Sequence, residues 1–192
     1  EIRRSFLKRI GGLFVASNFS IFSSSCALAQ NLTDGLKNIK GRIINRGDPN
    51  YNLWRGGMIW YKFKPNRYPD TIIQAQSEQD VIDAVNYART NGLMISVRSA
   101  GHNPAKAVLR EGGILLDISP LQNVEVDKAT NTAWIQPGIR SEELNEATLE
   151  HDLVFPSAHT GLVGLGGYLL GGGNGWNMGE LDLASRSILA AE

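Results

Sequence analysis

PDTIIQAQSEQDVIDAVNYARTNGLMISVRSAGHN, residues 69–103, switches from one hydrophobic period to another and back again. Its opening TIIQAQ, residues 71–76, reads as a short strand carrying β-branched side chains. Ser77 followed by Asp80 makes a capping-box pattern for a helix over about 78–90. Within it Val81, Ala84, Val85 and Ala88 recur at i, i+3, i+4 and i+7, which sets one apolar stripe against a sheet. Asn91-Gly92 ends the helix, because glycine accepts the left-handed turn there. LMISV, residues 93–97, then returns to strand, so strand, capped helix, strand begins a parallel α/β unit.

Downstream, GGILLDIS (112–119) is apolar enough for a strand covered on both faces. NVEVD (123–127), the turn-like KATN and TAWIQPG (132–138) read as a hairpin. Ser141 with Glu142 and Glu143 gives a second helix its cap and favourable first-turn charge, with Leu144, Ala147 and Thr148 facing inward. LVF (153–155) is extended again. Upstream, residues 30–68 hold the turns GDPN and KPN between Tyr51, Trp54, Trp60, Tyr61 and Tyr68, and read as an extension that packs on the main domain. Aromatic residues this dense suit core or joining surface more than a ligand platform.

Residues 1–29 read as a leader. Arg3, Arg4, Lys8 and Arg9 precede a modest apolar run, and Ala27-Leu28-Ala29 offers a cleavage site. RRSFLK follows the twin-arginine pattern with Arg3, Arg4, Phe6, Leu7 and Lys8 in place, which predicts export by the twin-arginine machinery to the periplasm or beyond. The apolar run is shorter than the roughly 20 residues of a spanning helix, so no stable membrane insertion is expected after processing. Cleavage would remove Cys26, leaving no cysteine for a disulfide, cluster or thiol nucleophile. The remainder has 15 basic against 18 acidic residues, a net charge of −3, and no basic stripe that would fit nucleic acid. The closing SILAAE reads as a strand broken off partway, as in the front of a longer protein.

Two loops carry the chemistry. Arg98-Ser99-Ala100-Gly101-His102-Asn103 lies where a buried strand surfaces, in a chain with three histidines. GLVGLGGYLLGGGNG, residues 161–175, has eight glycines, whose entropic cost on folding must be offset by something. Consecutive amides there could form an anion-binding concavity for a diphosphate, or the glycines could serve tight strand packing. A dinucleotide fingerprint G-x-G-x-x-G fails, since Leu169 follows Gly164 and Gly166 where the third glycine belongs. A P-loop fails for want of Gly-Lys-Ser/Thr. On its own His102 reads as a hydrogen-bonded loop residue sooner than as an attachment site, and Arg98 suits either a diphosphate or an acidic partner.

Residues 69–103, with GGILLDIS, AWIQPG and FPSAHTGLVGLGGYLLGGGNGWNMGELDLA (155–184), resemble in order and spacing the PCMH-type FAD-binding domain of the vanillyl-alcohol oxidase superfamily. The resemblance is strongest to berberine-bridge-enzyme-like FAD-linked oxidoreductases and covers about residues 69–192. It implies an α+β fold of two lobes, a small parallel α/β lobe followed by a mainly antiparallel one, incomplete at the carboxyl end. By the same resemblance Arg98, Ser99, Ala100, Gly101, His102 and Asn103 would lie against the FAD diphosphate, and His102 would bond to the flavin 8α-methyl. Thr160, Gly161, Gly164, Gly166, Gly167, Gly171 and Gly173 would form the second cofactor-binding segment. Two departures stand out. Ala100 replaces the first of the family's two glycines before the histidine, and Thr160 stands where many relatives have a second attachment cysteine. Any covalent link would therefore be single, through His102.

The resemblance further implies a hydride passed from an alcohol, sugar or related small molecule to flavin N5, with dioxygen or another acceptor restoring the flavin. The base that removes the substrate proton would lie in later chain, so His102 is expected to tether and tune rather than to act as acid or base. Two alternatives stay open: a non-covalent FAD enzyme of the same superfamily, and a non-catalytic flavin- or nucleotide-binding module.

Overall fold

The computed structural model describes residues 35–192. The predicted leader, Cys26 and residues 30–34 lie outside that range. The chain divides into two units, Glu1–Lys37 and Asn38–Glu192, and the second holds every element given below.

Residues 71–76 form a strand over the four residues Thr71–Gln74 (β2), after a first strand Arg42–Asn45 (β1) and a short helix Tyr51–Gly57 (α1). The predicted helix spans Glu78–Thr90 (α2), and LMISV becomes strand Ile95–Arg98 (β3). GGILLDIS supplies Ile114–Asp117 (β4), whose four residues are all buried. One sheet in the order β1-β2-β4-β3 results, with β4 parallel to both β2 and β3 and β1 antiparallel to β2. The α2 connection therefore carries the chain from β2 past one strand position, and β4 later fills the gap. Filling it places β4 centrally, which explains why its sequence lacks alternation.

The aromatic stretch contributes to this lobe from within. Ile44, Tyr51, Met58 and Ile59 pack with Ile72, Leu109 and Leu115, flanked by Trp54 and Tyr68. The sheet and its core thus draw on residues well before Pro69.

The stripe on α2 differs from the expected one. Ala84 and Ala88 are buried, but Val85 is 44% exposed, and Asp80 and Tyr87 complete the inner face instead. Asp80 turns inward because its carboxylate accepts three amides, from Lys40 (3.0 Å), Gly41 (3.0 Å) and Gln76 (2.9 Å). Ser77 does cap the helix, its Oγ accepting the Asp80 amide at 3.2 Å. The reciprocal half of the box is replaced by Asp80's longer-range bonds.

The hairpin is present as Val124–Asp127 (β5) and Thr132–Ile135 (β6) in a two-stranded antiparallel sheet. Helix Ser141–Leu149 (α3) follows, with Leu144 and Thr148 buried. Its cap is Arg140 rather than Ser141: the Glu143 carboxylate accepts the Arg140 amide at 2.7 Å, while Ser141 Oγ donates to the Val163 carbonyl at 3.2 Å. Within the glycine-rich segment lies a short helix, Leu165–Leu170 (α4), and Met178–Leu181 (α5) and a 3-10 turn Ala184–Ser187 come after it. A second core joins Ile139, Leu144 and Leu165 with Val124, Ile135 and Tyr168. The segment 188–192 has no regular structure, so SILAAE is not a strand among the described residues.

Candidate functional site

Strand β3 ends at Arg98, and the next five residues leave the sheet. Gly101 has φ +73° and is buried against the Met58 carbonyl, leaving no room for a Cβ. That close approach makes glycine necessary at this position. His102 follows at the rim of a cleft of about 810 Å3.

One carbonyl ties the two predicted loops together. Pro137, at the end of the β5–β6 hairpin, accepts Ser99 Oγ at 2.8 Å and the Gly166 amide at 3.1 Å. Gly164 passes directly over the 99–100 peptide, where an added Cβ would collide with the Ser99 hydroxyl and the Ala100 methyl. Gly166 is equally close to Pro137. The glycines at these two positions therefore permit contact between loops, and the Leu165 and Gly166 amides are already engaged by the Ile139 and Pro137 carbonyls. Ala100 is accommodated by the bare Cα of Gly164 opposite it.

Ser99, Ala100, Gly101, His102 and Asn103 line the cleft together with Gly164, Gly166 and Gly167. Gly167 faces open space, with nothing within 4 Å of where its Cβ would be. Apolar surface from Val97, Trp134, Val163, Leu169 and Leu170 completes the walls. Such a mixture of apolar walls and a few polar groups is the usual character of a cofactor site.

Arg98, Thr160, Gly161, Gly171 and Gly173 do not line it. The Arg98 guanidinium is committed elsewhere, pairing through Nη1 with the fully buried Asp117 at 2.8 Å and donating from Nε to Met58 O at 3.3 Å. Asp117 also accepts Gln74 Nε2 and the Ser119 amide, so the pair is a hydrogen-bonded structural unit under the loop. Of the two roles open to Arg98, the structure gives it the acidic partner. Gly161 abuts Glu142, and Gly173, at φ +69°, abuts Ala184. Thr160 Oγ1 accepts the Leu162 amide at 3.4 Å within its own turn. His159 is exposed and stacked on Trp176, with ring centroids 5.7 Å apart.

The His102 ring has a distinct environment. Its Nδ1 is shielded from solvent and lacks a hydrogen-bond partner. Burial, then the nearby charges of Arg98 and Arg140, push its pKa below the ordinary imidazole value. The shift favours the neutral ring, which keeps one nitrogen unprotonated. A buried polar atom without a partner is uncommon in native proteins, and among the described residues His102 Nδ1 shares that state with Arg55 Nε and the Tyr87 hydroxyl. The site thus fits a flavin at His102: a histidine whose neutral form is favoured, a concave cleft, and two loops whose glycines bring backbone to its wall.

Sequence reasoning did not single out Pro137 or Trp60. Pro137 acts through its carbonyl, which side-chain chemistry cannot reveal. The indole of Trp60 stacks on His102 with centroids 5.4 Å apart and planes 23° from parallel. Their separation in sequence hid that relation.

Comparison with known proteins places the chain among FAD-binding proteins. The profile of the FAD binding domain family matches residues 69–192. The FAD-linked oxidoreductase YgaK of Bacillus subtilis is 31% identical over 154 residues, covering 80% of this chain and 34% of that protein. The (R)-6-hydroxynicotine oxidase of Paenarthrobacter nicotinovorans is 34% identical over 157 residues, 80% of this chain and 33% of the enzyme. Among solved structures, 6-hydroxy-D-nicotine oxidase from Arthrobacter nicotinovorans superposes with a TM-score of 0.69 at 33% identity, covering 77% of this chain and 32% of that one. A berberine-bridge-enzyme-like protein of Physcomitrella patens shares the fold, with a TM-score of 0.73 at 24% identity over 81% of this chain and 34% of that one. The chain spans about one third of the length of the curated relatives it matches.

Proposed function

The chain belongs to the FAD binding domain family, and we propose that it holds FAD in the cleft between the 99–103 loop and α4, as the cofactor-bearing part of an oxidoreductase. The observation that carries this reading is the His102 imidazole, with Nδ1 unpartnered, lining a cleft walled by both predicted loops. The names of relatives as oxidoreductases and oxidases support the redox class.

When bound, FAD supplies a two-electron acceptor for a hydride from an alcohol, sugar or related small molecule, with dioxygen or another acceptor taking the electrons on. His102 is the single covalent tether, because Thr160 has no thiol to form a second. Ser99, Pro137 and Gly166 keep the two loops in register, so the tether and the opposing backbone hold fixed places. The Arg98–Asp117 pair anchors the loop from beneath, and Val97, Trp134, Leu169 and Leu170 present apolar surface that a bound cofactor would cover. We also assign residues 1–29 to twin-arginine export, on the strength of Arg3, Arg4, Phe6, Leu7 and Lys8.

The test is the absorbance spectrum of the purified full-length protein, followed anaerobically during addition of alcohols and sugars. Flavin bands that bleach with one or more of these compounds are expected. A colourless protein that takes up no added FAD contradicts the reading.

A further inference from the structure

Two parts of the chain far apart in sequence are locked together around His102. The Trp60 amide donates to the Gly101 carbonyl at 3.2 Å, and the Met58 carbonyl accepts Arg98 Nε while lying against Gly101. The side chains continue the lock. Trp60 stacks on His102, Tyr61 meets Trp60 edge-on with centroids 5.2 Å apart at 82°, and the Lys106 ammonium lies over the Tyr61 ring at 5.6 Å. Lys106 has φ +55°, and its amide donates to the Asn103 carbonyl at 2.9 Å. The ladder His102, Trp60, Tyr61, Lys106 thus starts and finishes on one loop, with its two middle rungs supplied by residues 60 and 61.

We propose that Trp60 is the positioning residue for His102, fixing the plane of its imidazole for bond formation with FAD. This rests on the reading of His102 as the tether. A functional histidine is commonly oriented by a hydrogen bond to its second nitrogen. At His102 the Nδ1 atom makes none, and a flat contact with Trp60 takes that role. Orientation matters because the bonding lone pair lies in the imidazole plane, so a tilt of the ring moves it away from the carbon it must reach. The net step joins an imidazole nitrogen to the 8α-methyl carbon. One hydrogen leaves the methyl and one leaves the imidazole, and dioxygen takes both with their two electrons as hydrogen peroxide. Trp60 lies outside the segment matched by the family profile, 69–192.

The indole is 62% exposed, so truncating it opens no core cavity and the variant is expected to fold. The full chain, Trp60→Ala and Trp60→Phe are produced without riboflavin and then supplied with FAD and dioxygen. Flavin retained by the polypeptide after acid precipitation is followed over time, with thermal unfolding of each protein as a control. Loss of one aromatic pair should slow attachment in Trp60→Ala on the order of 2- to 12-fold. Trp60→Phe should stay within about twofold of wild type, with unfolding unchanged in both variants. Equal rates in wild type and Trp60→Ala overturn the positioning role, as does a Phe variant as slow as the Ala variant. A wild-type chain that retains no flavin overturns the tether itself, which separates failure of that reading from failure of the role of Trp60.

Discussion

Gly164 lies so near Ala100 that a Cβ placed on it would stand 2.8 Å from the Ala100 Cβ. The two loops that form the cleft are therefore in contact, and a hydrogen atom is the largest substituent the crossing accepts at Gly164. Gly164→Ala must push apart the strand-end loop and α4. We expect a loss of about 1–3 kcal/mol in urea unfolding, the usual cost of overpacking, and weaker FAD uptake by the folded fraction. Ala100→Gly relieves the crossing and should leave uptake intact.

Arg98 and Asp117 form a buried pair beneath the same loop. Removing one partner strands the other charge, so Arg98→Ala should cost about 3–5 kcal/mol of stability. If the guanidinium instead served the cofactor, Arg98→Ala would lose FAD affinity with stability unchanged. Chemical denaturation of the protein without FAD distinguishes the two.

Asp80 is a second structural carboxylate. Burial alone would raise its pKa, but hydrogen bonds from the Gln76, Lys40 and Gly41 amides outweigh that and hold it below the ordinary carboxylate value. A depressed folded pKa stabilises above the unfolded value of about 3.9 and loses that contribution as pH falls through the folded pKa. Asp80→Asn should cost about 1–3 kcal/mol at pH 7, and the gap to wild type should close in acid below about pH 3.9. Urea unfolding across pH 3 to 7 measures it.

The His102 pKa is shifted in the opposite thermodynamic sense. Its charged form is disfavoured in the fold by burial and by Arg98 and Arg140, so the unfolded chain binds the proton more readily. The fold is then destabilised as pH falls below about 6.5, with the penalty complete below the folded pKa. An NMR titration of His102 should give a midpoint below that of free histidine.

Helix α2 was legible because its signals are local: Ser77 at the cap, a 3.6 period and Asn91-Gly92 at the end. Its inner face was read one notch off, since Asp80 is drawn inward by amides 39 and 40 residues away, which leaves Val85 facing solvent. The same limit explains Arg98. Its position at a strand end is visible in the sequence, but its partner is Asp117 on the neighbouring strand, fixed by the β3–β4 register. The glycine segment correctly announced a close approach. At Gly164 and Gly166 the approaching groups are the 99–100 loop and Pro137, because a bare Cα serves a protein neighbour as readily as a ligand. Trp60 was visible only as one of several aromatic residues, and its role depends on a stacking partner 42 residues later.

The central claim is that His102 carries FAD as a single covalent tether in the cleft formed by the two loops. It is tested most directly by peptide mapping of the purified flavoprotein after denaturation. The account predicts flavin on the peptide that contains His102 and on no other, and none bound to the polypeptide in His102→Ala. Complete release of flavin by acid from the wild-type protein, or flavin on a peptide lacking His102, would contradict it.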